Sequence, residues 1–276
     1  MSRFAIALSL LSASTTVETK SFDPPASGVA ETCILLSTAL NAAAAQGEAE
    51  NQLRHLEAAV SNAISQLQPH SPVRDRLEAA LREESRDPGK QLAALRQSIS
   101  RAVKELSFTP RAEAELPKGF PTYTPVGTIE VKQYPQYRKA TAGGFWTLFM
   151  HIKLNGIKMT APVEMAYATD ESDQVEEKQM SFLYGDAELG TPGRQGKVTV
   201  TDNEPQTVVA IGMRGKRDTK VVAAAERRLR RWLDDAPHYA ADGELRVMGY
   251  NSPYVPQEQQ YFEVQLPIRE TADNVR

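Results

Sequence analysis

The sequence predicts an α+β protein in which a helical N-terminal region precedes a strand-rich half with an internal repeat. In the first region, residues 28–107, apolar side chains recur every three or four positions. From Tyr123 onward the apolar and polar residues alternate instead, which is typical of strands. The change of period near residue 110 divides the 276-residue chain into two parts, as its length allows.

Three apolar stripes define helices in residues 28–107, and an Ala-rich stretch before them is also predicted to be helical. Ser71 precedes Pro72 and Asp87 precedes Pro88, and both pairs are typical of a capped helix start. We expect an antiparallel bundle or hairpin, because each stripe must be buried. An intermolecular coiled coil is the alternative. The stripes are Leu53, Leu56, Val60, Ile64 and Leu67; Val73, Leu77 and Leu81; and Leu92, Leu95, Ile99, Val103 and Leu106.

The strand-rich half, residues 123–270, follows a predicted linker at 108–122 and precedes a short tail at 271–276. Its alternating segments predict antiparallel strands with one face on a core and one toward water. Two helices, at about 144–153 and 219–233, interrupt these strands. The alternating residues are Ile129 and Val131, with Glu130 and Lys132 between them; Met180, Phe182 and Tyr184; Val198 and Val200; Val209, Ile211 and Met213; Leu245 and Val247; and Phe262, Val264 and Leu266.

An internal repeat follows from the order of these elements. Each half has a strand, a helix, a strand containing proline and a further strand. The proline-containing strands are predicted at residues 159–165 and 250–256, and they should lie at edges, bulges or corners. Two such units related by a pseudo-twofold would close a barrel-like sheet with two helices outside, leaving a groove where the units meet.

Composition excludes several function classes. Lys plus Arg is 32 against 35 Asp plus Glu, so the net charge of −3 predicts no nucleic-acid partner. The single cysteine, Cys33, excludes an internal disulfide, and the four histidines have no metal-site spacing. The chain lacks a Gly-x-Ser-x-Gly elbow, a phosphate loop and a His-Glu-x-x-His motif, so we predict that it is not an enzyme.

The N-terminus predicts a targeting signal within residues 1–27, followed by a disordered lead. Arg3 precedes the apolar run at 4–11, which is typical of a secretory signal and predicts export to the periplasm. The run is too short to span a membrane, and we predict no spanning segment. The alternative is a chain start that docks on the helical region of a cytoplasmic protein.

Four arginines on the second predicted helix form a dense basic run: Arg227, Arg228, Arg230 and Arg231. Such a run could contact phosphates, membranes or acidic partners. Because the four positions spread around the helix and acidic residues follow, we predict a solvated surface linked by salt bridges.

Residues 155–165, NGIKMTAPVEM, resemble the signature of the SOUL heme-binding family. The similarity extends to residues 129–137, 145–152, 249–254 and 261–264, and covers residues 123–268 in all. The resemblance implies a SOUL-type distorted antiparallel β-barrel with two flanking helices, in agreement with the repeat. It carries no information about residues 1–110.

The resemblance also implies a noncatalytic protein that holds heme or a related tetrapyrrole reversibly and non-covalently in an apolar surface groove. The cofactor is not required for folding. The first helix of the barrel and the segment after it supply the predicted contacts: Phe145, Leu148, Phe149, Met150, His151 and Met159. The alternatives are a binding module for another small amphipathic ligand, and an interaction protein that binds a partner through its N-terminal helices.

His151 is the one histidine near this predicted groove wall and therefore the candidate axial ligand of the iron. Lys153 or Lys158 could meet a propionate. A surface or core histidine is the alternative, since the spacing of about 100° per residue places His151 at the edge of the apolar stripe or toward solvent. We therefore expect a groove that holds its ligand by apolar contact and not by coordination of the iron.

Overall fold

The computed structural model describes residues 28–83, 85–169 and 175–271, and its first elements form a bundle of four helices. Their apolar stripes meet in one core, in which Leu36, Leu56, Leu77 and Ile99 are fully buried, as the spacing predicted. The helices are α1 Val29–Ala44, α2 Ala49–Gln66, α3 Pro72–Arg82 and α4 Pro88–Leu106.

The two predicted helix caps differ in outcome. The Asp87 carboxylate accepts hydrogen bonds from the backbone N–H groups of Gly89 and Lys90, at 2.9 and 3.3 Å, so it caps α4. Ser71 makes no capping bond to α3, and that prediction was wrong. Its hydroxyl instead accepts a hydrogen bond from the backbone N–H of Ile129 at 3.1 Å, which ties the bundle to the first strand.

The strand-rich half is a ten-stranded antiparallel sheet with two helices, α5 Phe145–Leu154 and α6 Thr219–Asp234. The strands run in the order β1-β7-β10-β9-β3-β4-β2-β6-β5, and β8 pairs with β10. Their bounds are β1 Ile129–Tyr134, β2 Tyr137–Ala142, β3 Val163–Thr169, β4 Val175–Leu183, β5 Gly193–Gln195, β6 Val198–Asn203, β7 Gln206–Arg214, β8 Tyr239–Ala241, β9 Arg246–Gly249 and β10 Tyr261–Glu270.

The sheet is open, so the predicted closed barrel was wrong. Its path ends at β1 on one side and β5 on the other, and these two strands do not pair within the described residues. From β1 to β6 the strand order is symmetric: exchanging β1 with β6, β2 with β7, β3 with β9 and β4 with β10 gives the same order read backwards. This symmetry agrees with the predicted repeat. The first strand of each unit pairs with a strand of the other unit: β1 pairs with β7, and β6 pairs with β2. These first strands therefore lie toward opposite edges of the open sheet.

The two proline segments also differ from the prediction. In the first, β3 begins at Val163, directly after Pro162. In the second, β9 ends at Gly249, and residues 250–256 form turns that lead into a short 3-10 helix, Gln257–Gln259. Pro253 and Pro256 have no N–H to donate to a ladder, so this segment leaves the sheet.

The sheet is covered on both faces around β10, contrary to the expectation of a solvated face, whereas β6 keeps the predicted alternation of buried and exposed residues. On β1 the prediction holds at the buried Ile129 but is inverted at the next pair, with Lys132 only 6% exposed and Val131 39% exposed. Residues 261–266 of β10 are all buried. The reason is that α6 packs on one face, while residues 108–128, which we call the strap, cross the other.

The strap, which includes the predicted linker at 108–122, is fixed by backbone contacts to the sheet. The Thr124 N–H donates to the Glu263 carboxylate at 2.7 Å, and the Tyr261 hydroxyl donates to the Thr124 carbonyl at 2.6 Å. The Gly127 N–H donates to the Gly212 carbonyl at 2.8 Å. The strap is therefore an integral layer of the fold.

A buried polar network lies between the strap and the sheet. Glu263 accepts a hydrogen bond from Lys132 at 2.8 Å, and Glu164 accepts from Arg246 at 3.3 Å and from Lys139. Although burial raises the pKa of each carboxyl, the neighbouring cations hold both pKa values below the usual range. The network is formed by Lys132, Tyr134, Tyr137, Lys139, Glu164, Arg246, Glu263 and Gln265.

The bundle docks on α6 through an ion pair and a contact of a histidine ring with a carboxylate. Arg228 donates to the Asp75 carboxylate, and the His70 ring lies 2.7 Å from the Asp235 carboxylate. Arg230 pairs with Glu226 on its own helix at 2.6 Å. The predicted salt bridges are therefore present at Arg228 and Arg230, and Arg228 joins the two halves of the chain.

The predicted signal and lead at 1–27, and all of the predicted tail except residue 271, lie outside the described residues. Export to the periplasm stays a prediction. Within the described part of the chain, no helix combines the length and apolar character needed to cross a membrane.

Candidate ligand-binding face on helix α5

Helix α5 is a ten-residue helix between two glycine-containing turns. It begins after Gly144 and ends at Leu154, and Gly156 follows the C-cap with a φ of +64° that suits glycine. The Ile157 N–H donates to the Ile152 carbonyl at 2.8 Å and closes the last turn. One side of α5, with Leu148 and Ile152, packs on β2, β4 and β6.

The opposite side of α5 is apolar and open. Trp146 is 56% exposed, Met150 49% and Leu154 79%, and Phe145 is also exposed. Together with the half-buried Phe149 they form what we call the α5 face. Elsewhere in the described residues, exposed large apolar side chains are scattered singly. A contiguous apolar patch of this kind marks a binding surface.

The aromatic end of the α5 face is ordered by contacts among its rings. Phe145 and Phe149 stack with their centroids 5.9 Å apart, and Trp146 meets both rings edge-on at 5.5 and 5.9 Å. Phe145 also contacts Phe182 of β4 at 5.2 Å. At a rise of 1.5 Å per residue, the face extends over about 12 Å from Trp146 to Leu154, and it is held rigid at one end.

His151 lies inside the fold, not at the edge of the face, so the predicted orientation was wrong. It is 8% exposed, its Nε2 lies 2.7 Å from the Tyr184 hydroxyl, and its Nδ1 lies 3.4 Å from the Asn155 amide nitrogen. Burial lowers the pKa of the ring. Consecutive helical residues point about 100° apart, so His151 faces toward β4 whereas Met150 faces outward.

Iron ligation by His151 would require the ring to leave the Tyr184 hydroxyl and rotate outward. The other described histidines lie elsewhere, with His55 on α2, His70 before α3 and His238 before β8. The axial role of His151 stays a prediction, and it would cost the hydrogen bond to the Tyr184 hydroxyl.

The buried state of His151 predicts a loss of stability in acid. Because burial lowers its pKa in the folded protein, the unfolded chain binds the proton more readily, and unfolding is favoured as the pH falls below about 6.5. Replacing His151 by Gln should flatten this dependence. The measurement is the urea midpoint at pH values on either side of about 6.5, and an equal pH slope in both proteins would contradict the assignment.

Two lysines were predicted to meet an anionic group, and the structure separates them. Lys158 pairs with Glu115 at 3.0 Å. Lys153 is exposed, lies between Phe149 and Met150 on the helical circumference, and forms no ion pair within the described residues. The α5 face therefore presents an apolar surface with one cation beside it in the last turn of the helix.

The structure brings together only part of the predicted contact set. Phe145, Phe149 and Met150 lie on the α5 face, whereas Leu148 and His151 point inward and Met159 packs against the core beneath. The sequence reasoning missed Trp146 and Leu154. The sequence did contain a signal for them. Apolar residues surround most of the circumference of α5, whereas burial of one side requires only a single apolar stripe.

The exposed apolar side chains of the α5 face offer a surface on which an apolar ring can pack, and Lys153 carries a charge opposite to that of a carboxylate. The α5 face offers no free imidazole or thiolate. Cys33 lies half-buried in the bundle, where burial raises the pKa of its thiol and disfavours the thiolate. No group of three histidine, cysteine or acidic side chains in the described ranges could hold a metal ion.

This architecture defines a class: α+β proteins in which a helix with an open apolar face lies on an antiparallel sheet of two repeated units. Residues 120–267, just over half of the chain, match the family model for the SOUL heme-binding protein. The chain belongs to that family.

Solved structures show only distant similarity. The C-terminal domain of EcmrR is 16% identical, with a TM-score of 0.39 over 52% of this chain and 98% of its own. A hydrolase from Listeria innocua is 13% identical, with 0.39 over 53% and 94%. SAV2435 bound to tetraphenylphosphonium is 12% identical, with 0.32 over 51% and 93%. None of these bears on function, and no curated protein matches the chain.

Proposed function

We propose that this protein is a noncatalytic carrier that binds heme or a related tetrapyrrole reversibly on the α5 face. The observation that carries the proposal is the contiguous exposure of Phe145, Trp146, Met150 and Leu154 on a helix of the SOUL domain. Removing this apolar surface and the ligand ring from water supplies the driving force.

Each part of the face has a role in this proposal. The tetrapyrrole ring packs along Trp146 and Met150, while the stacked Phe145 and Phe149 rings keep that surface in place. Lys153 pairs with a carboxylate of the ligand and fixes its orientation. Bound heme would supply an iron centre, which the protein carries without needing to coordinate it.

The test is a titration of the purified protein with hemin, followed by the Soret absorbance. The wild-type protein should show a saturable spectral change. Replacing both Trp146 and Met150 by Ser should weaken hemin binding by at least tenfold, because about 1.4 kcal/mol corresponds to a factor of ten and burial of one large apolar side chain supplies that much.

Ile34→Ser is the matched control, since Ile34 is an equally exposed apolar residue on α1 of the bundle. This change should leave hemin binding intact. A weak, nonsaturating spectral change in the wild-type protein would refute the proposal. If the wild-type protein and the Trp146/Met150 variant bind hemin with equal affinity, the binding site does not lie on α5.

A second candidate is the binding of another small amphipathic carboxylate. The specific observation in its favour is that the one histidine near the face is hydrogen-bonded on the inner side of α5. Native mass spectrometry of protein isolated from cells distinguishes the two candidates. A bound tetrapyrrole mass supports the first, and a different apolar acid supports the second.

A further inference from the structure

A cavity of about 360 Å³ lies between the helical bundle and the sheet, and no residue of α5 lines it. One wall is the loop Gln68–Pro69, a second is Val131 of β1, and the third is the end of α6 with Trp232 and Asp235. The cavity exists only because the bundle is docked on α6. Its size and its position between two parts of the chain are typical of small-molecule sites.

The walls of this interdomain cavity combine polar side chains with an apolar side that contains stacked rings. Trp232 and Tyr239 stack with their centroids 5.8 Å apart, and the His238 ring lies 4.3 Å from Tyr239. Pro69 and Val131 also line the cavity. The indole N–H of Trp232 is 3.4 Å from the Gln68 amide oxygen, which ties the two sides together.

One carboxylate, that of Asp235, lines the cavity. Asp235 follows the last residue of α6, where the carbonyl end of the helix dipole adds to the charge of its carboxylate. Within the described residues only one of the two carboxylate oxygens has a hydrogen-bond partner, the His70 ring. No lysine or arginine lines the cavity, and the nearby Arg228 and Arg231 are turned to Asp75 and to the Arg227 carbonyl.

We propose that this interdomain cavity binds a small organic cation with an apolar body, such as a quaternary amine. The free oxygen of Asp235 meets the positive charge, and the wall formed by Trp232, Tyr239 and Pro69 takes the alkyl groups. A cation in this place contacts both the bundle and the sheet half, so it also stabilises their docking. The proposal is independent of ligand binding at the α5 face.

The test uses the fluorescence of Trp232, which is one of two tryptophans in the chain. In a Trp146→Phe background, Trp232 alone reports on the cavity. The probes are choline and neohexyl alcohol, in which carbon replaces the charged nitrogen. Choline should give a saturable change, and the alcohol should bind about tenfold more weakly or not at all.

Matched variants assign the effect to the cavity. Asp235→Asn should weaken choline binding about tenfold, whereas Asp234→Asn, at an exposed carboxylate that does not line the cavity, should not change it. Val131→Phe should block binding by filling the opening while leaving every charge in place.

One further variant separates binding from docking. Asp235→Asn also removes the contact to His70, so His70→Asn is made to remove the same contact while keeping the carboxylate. His70→Asn should still bind choline. The proposal is overturned if choline gives no saturable signal, if neohexyl alcohol binds equally well, or if folded Asp235→Asn binds choline like the parent protein.

Discussion

Replacing Arg246 by Met is expected to lower the free energy of unfolding by about 3–5 kcal/mol, because the buried Glu164 carboxylate loses one of its two cationic partners. Arg246 is buried on β9 and donates to Glu164, to the Gln265 amide oxygen and to the Tyr137 hydroxyl. Without the guanidinium, Glu164 keeps only Lys139 and Tyr137. The measurement is a urea unfolding curve at neutral pH.

The control is Arg269→Met on the neighbouring strand β10. Arg269 is exposed and pairs with Asp242 at 3.8 Å, so its loss should cost less than about 1 kcal/mol. A double change, Arg246→Met with Glu164→Met, removes both charges and should recover part of the loss. A cost below about 1 kcal/mol for Arg246→Met alone would show that the buried network is not needed for stability.

Replacing Gly212 by Val is the second change with a large expected effect, because the strap lies directly on this glycine. A Cβ atom at position 212 would lie 2.2 Å from the Thr124 carbonyl oxygen and 2.5 Å from that of Pro125. Backbone atoms must move to relieve such contacts, so we expect a loss of about 3 kcal/mol. The strap should also detach locally.

Hydrogen exchange of the Thr124 and Gly127 amides reports this detachment, since both donate to the sheet. Their exchange should accelerate in Gly212→Val. Gly185→Ala is the matched control, because its added Cβ would lie at an ordinary 3.7 Å from Thr160. Unchanged exchange and stability in Gly212→Val would contradict the close packing of the strap.

The helices and most of the strands could be predicted because periodicity reports which side of an element is buried. The bundle stripes and the cap at Asp87 are local features, and the structure confirms them. The bond from Ser71 to Ile129 joins residues far apart in sequence, so local reasoning assigned Ser71 to the helix next to it. The prediction of a closed barrel failed for the same reason, because closure depends on pairing between strands that are far apart in the sequence.

The inverted pattern of β1 has a similar cause. Lys132 is polar and therefore predicted to face water, but Glu263 on β10 compensates its charge inside the fold. At the candidate site, the family resemblance predicted α5 as a groove wall that includes Phe145, Phe149 and Met150, and the structure places these three residues on the open α5 face. The sequence could not place His151, because the direction of that ring is set by the Tyr184 hydroxyl.

The central claim, that the tetrapyrrole binds on the α5 face, is tested most directly by NMR of protein labelled at the methionine methyl groups. Zinc protoporphyrin serves as a diamagnetic substitute for heme. Its ring current should shift the exposed Met150 methyl signal most, while Met165 and Met248, buried in the other cores, stay in place. The largest shift at Met248 or Met165, with Met150 unmoved, would contradict the claim.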